Sequence, residues 1–246
     1  MKNIDLSNYQ LTSFLDDLKE LNITLNENQL CQFMRYYELL IEWNEFMNLT
    51  AITDFDEVLK KHFIDSLSLV KACNDFYSKS LIDVGTGAGF PGLPLKIVFP
   101  ELKITLLDSL NKRVNFLQAV IEELELENIE ALHGRAEDFS KKENLREKFD
   151  LCVSRAVANL ATLSEYCLPY VKIDGRFISY KSEKITDEID EAKTAISILG
   201  GKIENQVEFM IPGSDIYRNL VVISKIEKTP DKYPRKAGIP AKNPLN

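Results

Sequence analysis

Leu81-Ile82-Asp83-Val84-Gly85-Thr86-Gly87-Ala88-Gly89-Phe90-Pro91-Gly92 is an apolar run that passes directly into a glycine-rich turn, and its reading decides the fold. The run predicts a buried strand, and the residues after it predict a helix. Gly85, Gly87 and Gly89 can adopt backbone angles closed to other residues, and without a Cβ they let a ligand approach the main chain. Pro91 and Pro94 suit the first turn of the following helix. A second apolar run, Lys103-Ile104-Thr105-Leu106-Leu107, ends at Asp108. A carboxylate about 20 residues beyond such a turn is where a ribose offers its hydroxyls, so both oxygens of Asp108 are expected to accept from them.

Dinucleotide binders place a third glycine three residues after the second, and that position here is Phe90, so the fingerprint for hydride-transfer cofactors is broken. What remains is Gly-x-Gly-x-Gly, with Asp83 two residues ahead of Gly85. This arrangement resembles the first motif of S-adenosylmethionine-dependent methyltransferases. Asp83, Gly85, Gly87 and Gly89 are therefore expected to line the cofactor site.

The surrounding sequence supports an α/β class. After residue 80, expected strands at 81–84, 103–107, 129–133, 149–153 and 175–180 alternate with expected helices at 92–99, 111–126, 158–171 and 186–199. Such alternation implies a mainly parallel, Rossmann-like sheet covered on both faces. Two further strands near 203–211 and 217–226, joined by Pro212-Gly213-Ser214-Asp215, predict a terminal antiparallel hairpin at a sheet edge. Residues 1–76 predict an N-terminal helical extension or cap. In it Asn26 or Asn28 caps a long helix through Met47 and Asp54 caps another through Cys73. The expected divisions are thus 1–76, a methyltransferase domain at 77–228, and a C-terminal tail at 229–246.

Composition narrows the function classes. The 246 residues are 45% hydrophobic and 28% charged, as in a globular protein. No apolar run approaches the roughly 20 residues a membrane span needs, and the opening Met1-Lys2-Asn3-Ile4 does not start a signal peptide, so a cytoplasmic protein is expected. Cys31, Cys73, Cys152 and Cys167 are far apart and only two histidines occur, which predicts neither disulfides nor a metal site. A net charge of -8 argues against coating nucleic acid by bulk attraction. The last 22 residues differ, with Lys225, Lys228, Lys232, Arg235, Lys236 and Lys242 against only Glu227 and Asp231. Such a patch fits a partner met at one face or a solvated terminal tail.

In open α/β sheets the ligand lies beyond the carboxyl ends of the strands, which directs attention to Gly85 to Phe90, Asp108, Arg135 to Asp138, Ser154-Arg155 and Lys181. Ala136-Glu137-Asp138 could flank a purine or cap a helix. Arg155 needs an anion, whether a cofactor carboxylate, an RNA phosphate or a structural partner. Methylation of an exocyclic amine commonly involves an Asn/Asp-Pro-Pro-aromatic turn after the fourth strand, and Ser154-Arg155-Ala156-Val157 stands there instead. Methylation of pyrimidine C5 needs a poised cysteine, but Cys152 and Cys167 fall inside elements. Guanine N7 carries an in-plane lone pair and loses no proton on methylation, so a site with no catalytic base or nucleophile suffices, provided that it positions the reactants.

Several segments together resemble the bacterial 16S ribosomal RNA guanine-N7 methyltransferases, also called glucose-inhibited division protein B. They are Trp43-Asn44 with Met47-Asn48-Leu49-Thr50, His62-Phe63-Ile64-Asp65-Ser66-Leu67, Asp83 through Pro94, His133-Gly134-Arg135-Ala136-Glu137, Ser154-Arg155-Ala156, and Arg235-Lys236-Ala237-Gly238-Ile239-Pro240 with Lys242 and Pro244-Leu245. The resemblance covers nearly the whole chain. It implies transfer of a methyl group from S-adenosylmethionine to N7 of a guanine in the decoding-region loop of 16S RNA in the small ribosomal subunit, by a monomer that needs no metal. It further implies cofactor contacts at Gly85, Phe90, Asp108, Ala136, Glu137 and Arg155, and substrate contacts at Arg155, Lys181, Arg235, Lys236 and Lys242. Ser182 departs from the glycine usual in the family after the strand-end lysine. His62 either faces the substrate pocket or ties the helical extension to the sheet. The rival classes are a nicotinamide-dependent oxidoreductase, a binding module without chemistry, and a methyltransferase for a small molecule.

Overall fold

A computed structural model describes residues 4–155, 158–183 and 185–245. Ala156 and Val157 of the strand-end segment, the first three residues, and Asn246 at the end of the tail lie outside the described residues. After a short 3-10 turn at Leu6–Asn8 come α1 (Thr12–Glu20) and α2 (Glu27–Met47). Asn26 caps α2 through a reciprocal box: its side chain accepts from Gln29 N at 2.9 Å and Gln29 Oε1 accepts from Asn26 N at 3.0 Å. Asp54 likewise caps α3 (Phe55–Val58), accepting from Glu57 N at 3.0 Å.

The expected single helix from Asp54 to Cys73 is not uniform. It widens into a π-helical turn over Leu59–Ile64, tightens through α4 (Asp65–Leu67), and ends in a 3-10 turn at Ser68–Lys71. Wide turns of this kind cluster at functional sites because they rotate side chains off the regular 3.6-residue repeat. His62 lies in the wide turn and Asp65 begins the segment after it.

The remaining elements are β1 (Ser80–Val84), α5 (Gly92–Val98), β2 (Lys103–Asp108), α6 (Asn111–Glu123), β3 (Ile129–His133), α7 (Ala136–Phe139), β4 (Phe149–Arg155), α8 (Leu160–Cys167), β5 (Val171–Lys181), α9 (Thr186–Ile198), β6 (Gly201–Met210), β7 (Tyr217–Lys225) and α10 (Ile239–Lys242); their order is the expected one, but α7 and α10 were not among the expected helices, and α8 is shorter than 158–171 because β5 already begins at Val171. They build one seven-stranded sheet in the order β3-β2-β1-β4-β5-β7-β6. The first five strands are parallel, while β7 runs antiparallel to both β5 and β6. The predicted hairpin therefore joins the sheet through β7 and leaves β6 outermost. Strand order reverses between β1 and β4, and a reversal of this kind opens a crevice at the carboxyl ends.

Both faces of the sheet are covered. On one, Phe14, Phe33, Tyr36 and Phe63 from the N-terminal helices share a core with Phe90, Leu93, Leu106 and Val153. The helical extension is thus continuous in packing with the sheet and with the glycine turn. On the other face α8 and α9 cover the sheet, and Tyr233 and Leu245 of the tail join that core. No helix among the described residues is long and apolar enough to cross a membrane.

Phe63 is fully buried, with its ring centroid 5.0 Å from that of Phe33 and 5.3 Å from that of Tyr36. Phe63→Ala is expected to cost about 3–5 kcal/mol in urea unfolding, through lost burial and the cavity left behind. Phe46→Ala, at a side chain 69% exposed, should shift the same midpoint by well under about 1 kcal/mol.

Candidate active site

The turn after β1 uses left-handed backbone at Gly85, Gly87 and Gly89, with φ of 74°, 63° and 100°. Asp83 closes it from below. Its Oδ2 accepts from Thr86 Oγ1 at 2.7 Å and from Gly92 N at 2.8 Å, which ties the start of the turn to the start of α5. The carboxylate is fully buried, and burial raises its pKa to about 7 against the opposing pull of those two bonds. Its other oxygen, Oδ1, is buried without a hydrogen-bond partner. Asp83 therefore organises the turn first, whereas the sequence pointed to it as a lining residue.

The glycines divide by what surrounds them. A Cβ at Gly89 would lie 2.3 Å from Leu93 Cδ1 and 2.8 Å from the Tyr36 hydroxyl, which itself donates to Ala88 O. A Cβ at Gly87 would meet no atom within 4 Å. Gly89 is thus required by packing, while Gly87 borders open space.

Asp108, at the end of β2, is nearly as buried as Asp83. Its Oδ2 accepts from Gly87 N at 3.0 Å and its Oδ1 from Leu110 N at 2.9 Å. Each oxygen therefore already holds one backbone donor and keeps a second lone pair for another. Its neighbours Leu107 and Ser109 line a cavity of about 360 Å³ together with Gly85, Gly134, Ala136, Glu137 and Gly238. Glu137 is largely buried in that wall and its Oε1 accepts from Gly238 N at 2.9 Å.

A second cavity, of about 600 Å³, opens beyond β4 and β5. Asp65 anchors it. This carboxylate is 2% exposed and accepts from Arg155 Nη1 at 2.9 Å and from Arg218 Nε and Nη2 at 2.8 and 3.1 Å. Two guanidinium groups on one carboxylate leave a surplus positive charge facing the cavity. Lys181, at the end of β5, is held by Glu188 at 2.6 Å and by Ala158 O at 3.1 Å.

Phe90 packs against two residues of the second cavity, His62 and Arg155. Its ring is buried, stacked on His62 at 4.5 Å with an interplanar angle of 17°, and covered by the Arg155 guanidinium at 5.1 Å. Arg155 Nη2 donates toward His62 Nδ1 at 3.4 Å, and His62 Nε2 sits 2.9 Å from Thr50 Oγ1. These partners assign the proton to Nε2. Burial first, then the Arg155 charge, lowers the His62 pKa to about 4, so the ring is neutral. His62 thus both lines the second cavity and ties the helical extension to the sheet.

The other expected substrate contacts separate. Lys236 and Lys242 are exposed on the tail. Arg235 instead faces inward, where its Nη2 lies 2.7 Å from Oε2 of the fully buried Glu165. Asp65 and Arg218 were missed as a pair, although Asp65 lies in a segment already singled out; Arg218 sits in a strand with no local motif to mark it. Burial raises the Cys152 thiol well above its ordinary value, which suits packing and not nucleophilic chemistry. Among the described residues, no group of three or more histidines, cysteines or carboxylates is arranged to hold a metal.

The model of the family "rRNA small subunit methyltransferase G" matches residues 29–219. The chain belongs to that family. It is 56% identical over 234 residues to the ribosomal RNA small subunit methyltransferase G of Lachnoclostridium phytofermentans, covering 95% of this chain and 97% of that one. Its counterpart in Alkaliphilus metalliredigens is 52% identical over 230 residues, 94% of this chain and 96% of that one. Among solved structures, a SAM-dependent methyltransferase from Aquifex aeolicus superposes with a TM-score of 0.51 at 18% identity, covering 70% of this chain and 94% of that one. A putative transferase from Pyrococcus horikoshii gives 0.51 at 14% identity over 65% and 62%. These likenesses establish the methyltransferase fold, and the family establishes an enzyme that methylates small-subunit ribosomal RNA.

In an NMR titration the His62 ring is expected to titrate near pH 4, not near its ordinary 6.5. Because the unfolded ring takes its proton first, this site should lose stability as pH falls between those values. A midpoint near 6.5 would contradict the buried, arginine-facing placement.

Proposed function

We propose that the protein transfers a methyl group from S-adenosylmethionine to N7 of a guanine in the 16S RNA of the small ribosomal subunit. The observation that carries this reading is the pairing of two unlike cavities at the carboxyl ends of the strands, one beyond β1, β2 and β3 and the other beyond β4 and β5. One is glycine-walled and sized for a nucleoside-like ligand; the other bears the surplus charge of Arg155 and Arg218 over Asp65.

The residues of the first cavity fit S-adenosylmethionine. Gly85, Gly134 and Gly238 of its wall leave the main chain open to close approach, and Asp83, which closes the turn, keeps one oxygen, Oδ1, without a partner. Leu107, Ser109, Ala136 and Glu137 would flank the adenosine. When bound, the cofactor supplies a methyl group activated on a sulfonium.

The chain's own residues then position the acceptor. Arg155, Arg218 and Lys181 offer cations to RNA phosphates, and exposed Lys236 and Lys242 extend that charge toward a partner larger than the cavity. Methylating N7 forms a nitrogen–carbon bond from a lone pair while the carbon–sulfur bond breaks, and no proton leaves the base. His62, neutral and committed to Arg155 and Thr50, need not act as a base. Alignment of two reactants can lower a barrier by about 7–11 kcal/mol, so positioning suffices.

Two tests follow from this division of labour. Ala136→Trp, a bulky side chain set in the wall of the first cavity at the start of α7, should leave the protein folded while abolishing S-adenosylmethionine binding in calorimetry, whereas undiminished binding would remove the first cavity from the mechanism. With labelled S-adenosylmethionine and small subunits lacking the modification, Arg155→Ala, Lys181→Ala and Arg218→Ala should each lower transfer by about 100-fold or more with cofactor affinity retained. Full activity in all three would displace the acceptor from the second cavity.

A further inference from the structure

The tail was expected to reach outward to RNA, yet between Thr229 and Pro240 its best-formed contacts point inward. Arg146 fixes the beginning, donating to Thr229 O at 2.8 Å and to Tyr233 O at 3.0 Å. Glu165, on α8 and fully buried, then receives Arg235 four times: from its backbone N at 2.7 Å, from Nε at 3.0 and 3.1 Å, and from Nη2 at 2.7 Å. Three residues on, Gly238 N donates to Glu137 Oε1 at 2.9 Å, and Pro240 O accepts from Thr162 Oγ1 at 3.2 Å. Gly238 and Tyr166, the neighbour of Glu165, both line the first cavity.

We propose that the tail is a wall of the cofactor cavity, latched by Arg235 on Glu165, and that Glu165 is a positioning residue for cofactor binding; this rests on the reading of that cavity as the S-adenosylmethionine site. A buried carboxylate is costly without a paired cation, and the described bonds of Glu165 all come from Arg235. Releasing the tail would strand that charge, so the pair keeps segment 235–240 seated. Seating in turn aims the Gly238 N–H at Glu137, fixing a carboxylate of the cavity wall. Because Arg235 spends its guanidinium on Glu165, the tail's outward charge is left to Lys236 and Lys242. One segment therefore serves two ends: its backbone completes the cofactor cavity and its lysines face the solvent.

The test uses the full chain with Glu165→Gln, and a second variant that ends at Pro234 and also carries Glu165→Gln, so that the tail is absent and no buried charge is stranded. S-adenosylmethionine affinity is read by calorimetry, folding by circular dichroism, and tail seating by limited proteolysis. Both variants are expected to bind the cofactor about tenfold more weakly or worse, a loss of about 1.4 kcal/mol, with the new protease cuts confined to the tail of the full-length variant. Affinity within about twofold of the parent in the shortened, folded chain would overturn the latch. So would unchanged cofactor affinity in the Glu165→Gln chain with cleavage in the tail or with weakened RNA binding alone. If the shortened chain does not fold, the Glu165→Gln affinity decides. Absence of binding in the parent chain would instead count against the cofactor reading itself.

Discussion

The site depends on a carboxylate that no solvent reaches. Asp83 holds Thr86 and the first residue of α5 with one oxygen, so the turn between them is closed from beneath the sheet. Burying an acid is unfavourable, and its raised pKa is the measure of that cost. The arrangement persists because Gly92 cannot give way: a Cβ there would lie 2.3 Å from Leu106 Cδ2 and 3.0 Å from the carboxylate itself. Once the turn is closed, Gly87 N reaches Asp108 and the ends of β1 and β2 are locked to each other.

The aromatic layer carries this order into the N-terminal helices. Tyr36 grips Ala88 O and lies 5.5 Å from Phe90, ring to ring, while Phe90 carries His62 and Arg155 on its surface. The helical extension therefore forms one side of the second cavity. It delivers Asp65, the carboxylate that gathers Arg155 from β4 and Arg218 from β7 into one patch. Without that carboxylate the two guanidinium groups would repel each other at close range. With it, a single positive charge in excess is presented to the second cavity.

Much of this was legible in the sequence. Periodicity and turn chemistry placed the strands within a few residues, because short apolar runs separated by helical spacing leave few alternatives. The Asn26 and Asp54 caps are local and were visible for the same reason. What escaped is long-range. The π-helical turn at Leu59–Ile64 keeps an apolar pattern that also suits a regular helix, and only the folded backbone shows the difference. Arg235 looks like any basic tail residue until Glu165, distant in sequence, is found beneath it. Asp108 was located correctly as a strand-end carboxylate, but its occupancy by Gly87 N and Leu110 N could not be read from spacing. Arg155 was marked as a cation that needs an anion, and Asp65, the one it meets in the fold, lies 90 residues away in sequence.

The measurement closest to the central claim is the site of methylation itself. Small subunits lacking the modification would be incubated with the protein and labelled S-adenosylmethionine, and the 16S RNA then cleaved chemically at N7-methylguanine. Label and cleavage are expected at one guanine, with neither produced when the Arg155–Asp65–Arg218 patch is dismantled. Label on a base amine, on ribose or on the free nucleotide pool, with cofactor binding intact, would contradict a site that works by positioning a lone pair.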